Sequence, residues 1–228
     1  MSKQIVVVSG GLGTPSSSGL LGRQLGQALV RELAAQGVQG DLSVVELRDY
    51  AADITNNLLT GFAPPKLQNV FDSVVNADVV IAVSPIFTAS VSGLFKSFID
   101  VLDPKSLDDK PVVLAATGGS ARHQLAIDYA MRPIFAYLRA QIMPTTVFAS
   151  SEDWGADQGA GTLSEREQRV AREVIRVWGT GASLSADADL GDTRSIAPKV
   201  SDNANARDEM TSLPFEKLLE QVRSGATL

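Results

Sequence analysis

The chain has 228 residues, of which 44% are apolar and 20% charged, and its formal net charge is −6. This length can form one domain with a sizeable core, alone or with an appendage. The acidic balance disfavours nucleic acid or an anionic membrane surface as a partner. The absence of Cys excludes disulfides, thiolate metal sites and Cys nucleophiles, and the single histidine, His123, cannot build a His-rich metal site. No segment has the pattern of a signal peptide or a membrane span, so we expect a soluble, cytoplasmic chain without a bound metal.

Short apolar runs alternate along the chain with segments of helical periodicity. Leu21, Leu25, Leu29 and Leu33 recur every four residues, which predicts an amphipathic helix that ends near Gly37. Pro133 lies inside a later helical pattern, where it either kinks the helix or begins a new segment. The predicted strands are 5–8, 42–47, 79–83, 111–116 and 145–149, and the further predicted helices cover 67–74, 93–102, 125–138 and 164–178. Residues 49–65 are predicted to form a loop.

Five strands that alternate with helices predict a parallel sheet covered by helices on both faces. We assign residues 1–178 to this domain. Residues 179–228 are rich in small polar residues and lack periodicity, which indicates a polar linker or arm. A short helix over 214–222 is predicted at its end.

The segment SGGLGTPSSSG, residues 9–19, follows the first predicted strand and is rich in glycine and serine without any charge. A loop between a buried strand and a helix directs backbone N–H groups outward, which suits an anion. A P-loop is excluded because the lysine that its motif requires is missing. The dinucleotide fingerprint fails at its third glycine, where this chain has Ser16. A mononucleotide phosphate held by hydroxyls and N–H groups fits best, and a plain flexible turn is the alternative.

Two further strands end in loops of the same composition. The segments SPIFTASVSG, from Ser84, and TGGSARHQ, from Thr117, follow the third and fourth predicted strands. In the doubly wound order 2-1-3-4-5, strands one, three and four are neighbours, and ligands bind at their carboxyl ends. Gly118 and Gly119 would let the backbone approach a flat ring closely. The three loops therefore predict one binding site at this edge of the sheet.

Two longer segments resemble a known family. SPIFTASVSGLFKSFIDVLD is similar to the segment P-x-[YF]-x-x-S-x-x-G-x-[LF]-K-x-[FL]-[IL]-D of the NADPH-dependent FMN reductases. TGGSARHQLAIDYAMRPIFAYLRAQIMPT resembles their segment T-G-G-[ST]-x-x-H-x-L-x-x-[DE]-x-x-[LM]-R-P, in the branch that supplies reduced flavin to two-component, luciferase-like monooxygenases, including those of sulfonate use. The resemblance covers residues 3 to about 178 in order and spacing.

The resemblance implies a flavodoxin-like α/β fold with a five-stranded parallel sheet of order 2-1-3-4-5. It implies hydride transfer from NADPH or NADH to FMN, so that the cofactors supply the chemistry and no catalytic side chain is required. It also implies a homodimer or homotetramer and a partner monooxygenase that takes the reduced FMN.

The resemblance also assigns the cofactor-binding residues. The flavin phosphate is expected at Ser9, Ser16, Ser17 and Ser18. The ring edge is expected at Pro85, Ile86, Phe87 and Thr88, with Gly118, Gly119 and Ser120 beside the ring. Leu12, Thr117 and His123 are further expected cofactor-binding residues.

Several interpretations stay open at this stage. His123 either helps to place the flavin or the nicotinamide, or only caps the following helix. Relatives often carry Arg where this chain has Gly19, and Arg23 either replaces that charge or is a solvated surface residue. A weakly held FMN would then be an exchangeable substrate. Trp154 is interpreted as part of a surface turn, with the covering of a neighbour's pocket as the alternative. Tyr129 and Tyr137 are interpreted as packing or subunit contacts.

Two other functions use the same fold. A quinone, azo or chromate reductase with bound FMN shares the first half-reaction, so the sequence separates it poorly. A flavodoxin-type electron carrier usually flanks the ring with Trp or Tyr, and neither lies in residues 84–92.

Overall fold

The computed structural model describes residues 2–154 and 162–184. For residues 180–184 it describes the backbone alone. They form one seven-stranded sheet around which helices pack. The strands are β1 (Lys3–Ser9), β2 (Gly40–Glu46), β3 (Val79–Phe87), β4 (Ser90–Val91), β5 (Pro111–Gly118), β6 (Gln141–Ile142) and β7 (Val147–Ser150). The helices are α1 (Ser17–Ala35), α2 (Ala51–Thr60), α3 (Pro65–Asn76), α4 (Gly93–Asp100), α5 (Arg132–Tyr137) and α6 (Leu163–Leu184).

The sheet has the predicted doubly wound order. The path runs β2-β1-β3-β5, and both β6 and β7 pair with β5 in parallel at its far side. The short strand β4 pairs antiparallel with the end of β3. The predicted parallel sheet with its order 2-1-3-4-5 is therefore confirmed, with the fifth strand divided into two short pieces.

Side chains from alternate positions of each central strand enter two separate cores. Val6, Val8, Val80 and Ala82 belong to the core beneath α3, α4 and α5, whereas their neighbours in the strands belong to the core beneath α1 and α6. Continuous apolar strands are expected in a sheet that is buried on both faces. Close packing also explains Gly22 of α1, where a Cβ atom would lie 2.4 Å from Cγ1 of Val7 in β1.

Three predicted segments differ from the structure. Residues 49–65 are not a loop, because α2 occupies much of this range and ends at Gly61, which adopts φ 71°. Its weak signal has a physical reason, since only Ile54 and Asn57 of this helix are buried. The segment 125–138 is not one α-helix but a π-helical turn, Ile127–Met131, followed by α5 with Pro133 in its first turn.

The last helix is also longer than predicted, because α6 continues to Leu184 instead of ending at Trp178. The rest of the predicted arm, including the predicted helix over 214–222, lies outside the described residues. Its assignment as a separate segment stays a prediction. Within residues 2–154 and 162–184, none of the helices is both long and apolar enough to cross a membrane.

Candidate functional site

The three loops predicted to share a site meet at one edge of the sheet. Ser9, the last residue of β1, pairs with Val83 of β3, and Pro85 of β3 pairs with Thr117 of β5. On the other side of β5, Gly118 pairs with Ser150 of β7. The carboxyl ends of four neighbouring parallel strands therefore lie together, where doubly wound proteins bind their ligands.

A cleft of about 330 Å³ opens at this edge. Its volume is at the lower end of the range for small-molecule sites, roughly 300–1,000 Å³. The predicted residues that line it come from the start of α1, the end of β3 and the end of β5: Ser17, Pro85, Ile86, Phe87, Thr117, Gly118 and Gly119. Three lining residues were missed by the sequence prediction, namely Ala149, Ser151 and Trp154.

The two glycines at the end of β5 have different surroundings. A Cβ atom at Gly118 would lie 2.8 Å from Cζ of Phe148, so this position packs against a core ring. A Cβ atom at Gly119 would meet no atom within 4 Å. The backbone of Gly119 consequently faces open space at the cleft, where a flat molecule could lie directly against it.

The end of β3 lines another part of the cleft and leads into the tight turn between β3 and β4. Thr88 and Ala89 adopt φ values of 49° and 62° in this turn, which glycine or asparagine would adopt more easily. Phe87 precedes the turn and is 49% exposed. The turn therefore presents a half-exposed aromatic ring beside the cleft at some cost in backbone energy.

Polar contacts fix the third wall, which is the turn Ser151–Trp154 after β7. Both the backbone N–H and the hydroxyl of Ser150 donate to Oδ2 of Asp153, at 2.8 and 2.6 Å. Arg166 of α6 donates to Asp153 and to the carbonyl oxygen of Phe148. Burial by itself would raise the pKa of Asp153, but the hydrogen bonds from Ser150 and Arg166 lower that pKa below its ordinary value. The carboxylate thus holds this turn with Trp154 at the cleft.

Most hydroxyls of the loop after β1 bind other protein atoms. Ser16 caps α1 by accepting from the N–H of Gly19 at 3.0 Å, and Ser18 shares a 2.7 Å hydrogen bond with Thr117. The N–H of Gly11 donates to the buried hydroxyl of Ser9 at 3.4 Å. Ser17 differs, since it is exposed at the first turn of α1 and lines the cleft.

The remaining predicted residues do not line the cleft. Leu12 and Thr88 are exposed, and Ser120 caps the turn that follows β5 by accepting from the N–H of Arg122 at 3.3 Å. His123 is exposed, and its Nδ1 lies 3.5 Å from the position that a Cβ atom of Gly118 would occupy. The structure therefore brings seven of the fourteen predicted residues together in the lining of the cleft, and the other seven do not line it.

Arg23 is neither free nor simply solvated. Its guanidinium donates to Oε1 of Glu46 at 2.9 Å, and this carboxylate is buried at the end of β2. Oε1 of Glu46 also lies 2.2 Å from where a Cβ atom of Gly19 would project, so a side chain at position 19 would require this carboxylate to shift. The positive charge of Arg23 is therefore balanced by the carboxylate of Glu46.

The sequence matches the family model of the NADPH-dependent FMN reductases over residues 4–155. This match covers more than half of the chain. The chain belongs to the NADPH-dependent FMN reductase family. The match includes all three loops at the sheet edge and Trp154 of the third wall. This match confirms the predicted family and the predicted class of NAD(P)H:FMN oxidoreductase. It also confirms the predicted use of FMN with NADPH or NADH.

Curated relatives agree with this assignment. The chain is 40% identical to an FMN reductase (NADPH) of Pseudomonas aeruginosa over 151 residues, which are 66% of this chain and 78% of the relative. It is 41% identical over 150 residues to the NADH-dependent FMN reductase SfnF of Pseudomonas putida, covering 65% of this chain and 78% of that one. The two relatives differ in the nicotinamide donor that their names state.

Solved structures confirm the flavodoxin-like fold. An oxidoreductase from Corynebacterium diphtheriae superposes with a TM-score of 0.74 at 36% identity, over 77% of this chain and 96% of that chain. The apo form of the NADH:FMN oxidoreductase EmoB has a TM-score of 0.60 at 25% identity, and the match covers 82% of this chain and 92% of that chain. A flavodoxin-like WrbA protein from Agrobacterium tumefaciens, at 15% identity and a TM-score of 0.53, shares the fold.

Proposed function

We propose that the cleft binds the flavin ring of FMN and that the first turn of α1 binds its phosphate. The observation that carries this proposal is the position of Ser17, which belongs to that first turn and also lines the cleft. A helix N-terminus favours an anion, and a cleft beside it can receive the uncharged remainder of the same molecule. When bound, FMN accepts a hydride at N5 from C4 of the nicotinamide.

The residues of the cleft fit such a ligand. Gly119 leaves its backbone open to a flat ring, and Pro85 and Phe87 line the same cleft. Trp154 offers a third, aromatic surface, and aromatic rings pack favourably on one another. The proposed role of these residues is to orient the ring and to exclude water from one of its faces, so that the other face can receive the nicotinamide.

We further propose that FMN is an exchangeable substrate and that reduced FMN passes to a partner monooxygenase. The loop after β1 has no charged side chain, and three of its serine hydroxyls bind protein atoms. Such a loop holds a phosphate less tightly than a loop that carries a cation of its own, because charge-assisted hydrogen bonds are stronger. The resemblance to the monooxygenase-linked branch supports the partner.

A homodimer or homotetramer belongs to the same proposal. Leu125 precedes the π-helical turn, Tyr129 lies within it, and Tyr137 is the last residue of α5. These three side chains are 57%, 80% and 80% exposed. Large apolar side chains that are exposed on a protein surface are candidates for subunit contacts. A cytoplasmic location stays a prediction from the sequence.

One observation favours the flavodoxin-type electron carrier as a second candidate. Such carriers usually flank the ring with Trp or Tyr, and Trp154 lines the cleft although residues 84–92 contain neither. The two functions differ in whether NAD(P)H reduces the flavin. A kinetic experiment therefore separates them.

The test is anaerobic oxidation of NADPH, and separately of NADH, by the purified full chain with a large excess of FMN, followed in the flavin absorbance band. The proposed function predicts bleaching of free FMN over many turnovers, and the faster donor identifies the preferred nicotinamide. Bleaching of one equivalent of bound flavin alone would contradict the exchangeable substrate. Tight FMN binding without any bleaching would favour the electron carrier.

A further inference from the structure

The loop after β1 lacks a charged side chain of its own, although a flavin phosphate carries about two negative charges. Position 19 supplies no cation, because it is a glycine. Arg23 cannot supply one either while it is paired with that carboxylate. A cation for the loop must therefore come from a different element.

Arg48 reaches this loop from the turn that follows β2. Its Nη1 donates to the carbonyl oxygen of Gly13, and to Oγ1 of Thr14 at 2.5 Å. Both acceptors lie just before Ser16, which caps α1. The guanidinium is thus hydrogen-bonded to the same short loop whose end forms the proposed phosphate site.

The charge of Arg48 is only weakly compensated. Its Nε lies 3.7 Å from Oδ1 of Asp49, and the side chain of Asp49 is 61% exposed. Exposed ion pairs contribute little because water and salt screen them. The acceptors at Gly13 and Thr14 are uncharged. Unlike Arg23, which meets a buried carboxylate, Arg48 therefore adds positive potential to the loop.

We propose that Arg48 is the phosphate-specificity residue of the flavin site: it orders the loop at Gly13 and Thr14 and supplies the positive charge that makes the site prefer FMN to unphosphorylated riboflavin. This inference rests on the proposed function. Arg48 acts on the phosphate end of the ligand alone, so its removal leaves recognition of the ring unchanged. The fork of the guanidinium has further N–H donors beyond the two that contact the loop.

The experiment measures equilibrium binding of FMN and of riboflavin to the full chain, for the wild type and for Arg48→Gln. Loss of a charge-assisted interaction is expected to weaken FMN binding about 10- to 100-fold. Riboflavin affinity is expected to change less than about twofold, and the salt dependence of FMN binding to decrease. Arg172→Gln removes the same charge from an exposed position on α6 and is expected to leave both affinities unchanged.

Arg48→Lys is the second variant, and it keeps the charge without the fork. It is expected to retain FMN affinity within about fivefold of the wild type, since a lysine still pairs with phosphate. The inference is overturned if Arg48→Gln binds FMN as tightly as the wild type, if it loses riboflavin equally, or if the lysine variant discriminates as poorly as the glutamine variant. A wild type that binds neither ligand would instead refute the proposed function.

Discussion

The two ends of the proposed flavin site offer different kinds of interaction to the ligand. At the phosphate end, the hydroxyl of Ser16 caps α1 and the hydroxyl of Ser18 is hydrogen-bonded to Thr117. Arg48, which lies after β2, donates a hydrogen bond to this loop at Thr14. At the ring end, the cleft is lined by the bare backbone of Gly119, the half-exposed ring of Phe87 and the ring of Trp154.

Recognition of the phosphate and binding of the ring therefore depend on different interactions. At the phosphate end, binding depends on charge and on N–H groups that the helix provides, so it should respond to salt and to the presence of the phosphate. At the ring end, binding depends on space and apolar contact, so it should respond to side-chain volume and be the same for FMN and riboflavin.

The largest expected effect comes from filling the ring end. Gly119→Leu places a side chain where a Cβ atom meets no neighbour within 4 Å, so the protein should fold normally while the cleft is obstructed. We expect affinity for both FMN and riboflavin to fall at least about 30-fold, the equivalent of a steric cost near 2 kcal/mol. Flavin titration and thermal melting measure the two quantities.

Gly118→Ala is the matched comparison. Its Cβ atom would lie 2.8 Å from Cζ of the buried Phe148, so we expect a loss of about 1–3 kcal/mol in the free energy of unfolding. If Gly119→Leu bound both flavins normally, the ring would not lie at this cleft.

The next effect concerns the aromatic wall. Trp154→Ala removes a cleft-lining ring, and we expect affinity for both flavins to fall about 3- to 10-fold because an aromatic contact is lost. Trp178→Ala is the matched control, since this second tryptophan packs under the ammonium group of Lys3, 5.1 Å from its ring. If the affinity for FMN alone decreased, Trp154 would contact the phosphate end of the ligand and not its ring.

Adjacent serines provide a finer comparison within α1. Ser17→Ala removes a hydroxyl that lines the cleft and should weaken FMN binding about threefold, with less effect on riboflavin. Ser18→Ala leaves the hydroxyl of Thr117 without its partner and should lower the free energy of unfolding by about 1–2 kcal/mol. The ratio of FMN to riboflavin affinity should be unchanged in Ser18→Ala, and a changed ratio would mean that Ser18 contacts the phosphate.

The smallest effect concerns the turn that carries Trp154, and it depends on pH. Because the pKa of Asp153 is lower in the folded protein than its ordinary value, the carboxylate stabilises the fold above that ordinary value. This contribution is lost as the pH falls through the lowered pKa. Asp153→Asn should cost about 1 kcal/mol at neutral pH and reduce the loss of stability on acidification. Urea unfolding at a series of acidic pH values measures this, and equal acid sensitivity in both proteins would contradict it.

The central sheet was predictable because its strands are continuous β-branched runs and the amphipathic α1 repeats every four residues. The ends of β1, β3 and β5 were predictable as a site because the order of the strands brings their loops together. Helix α2 was missed because it buries only Ile54 and Asn57, so it lacks a periodic apolar stripe. Trp154 and Arg48 were missed for a related reason, since their positions depend on tertiary contacts with Arg166 and with the loop at Gly13.

The most direct test of the account is a crystal structure of the full chain with FMN. We predict the phosphate at the first turn of α1 beside Ser17, with the guanidinium of Arg48 facing the phosphate loop. We predict the ring in the cleft between Phe87, Gly119 and Trp154. A flavin bound elsewhere, or bound with its phosphate away from α1, would contradict the proposed site.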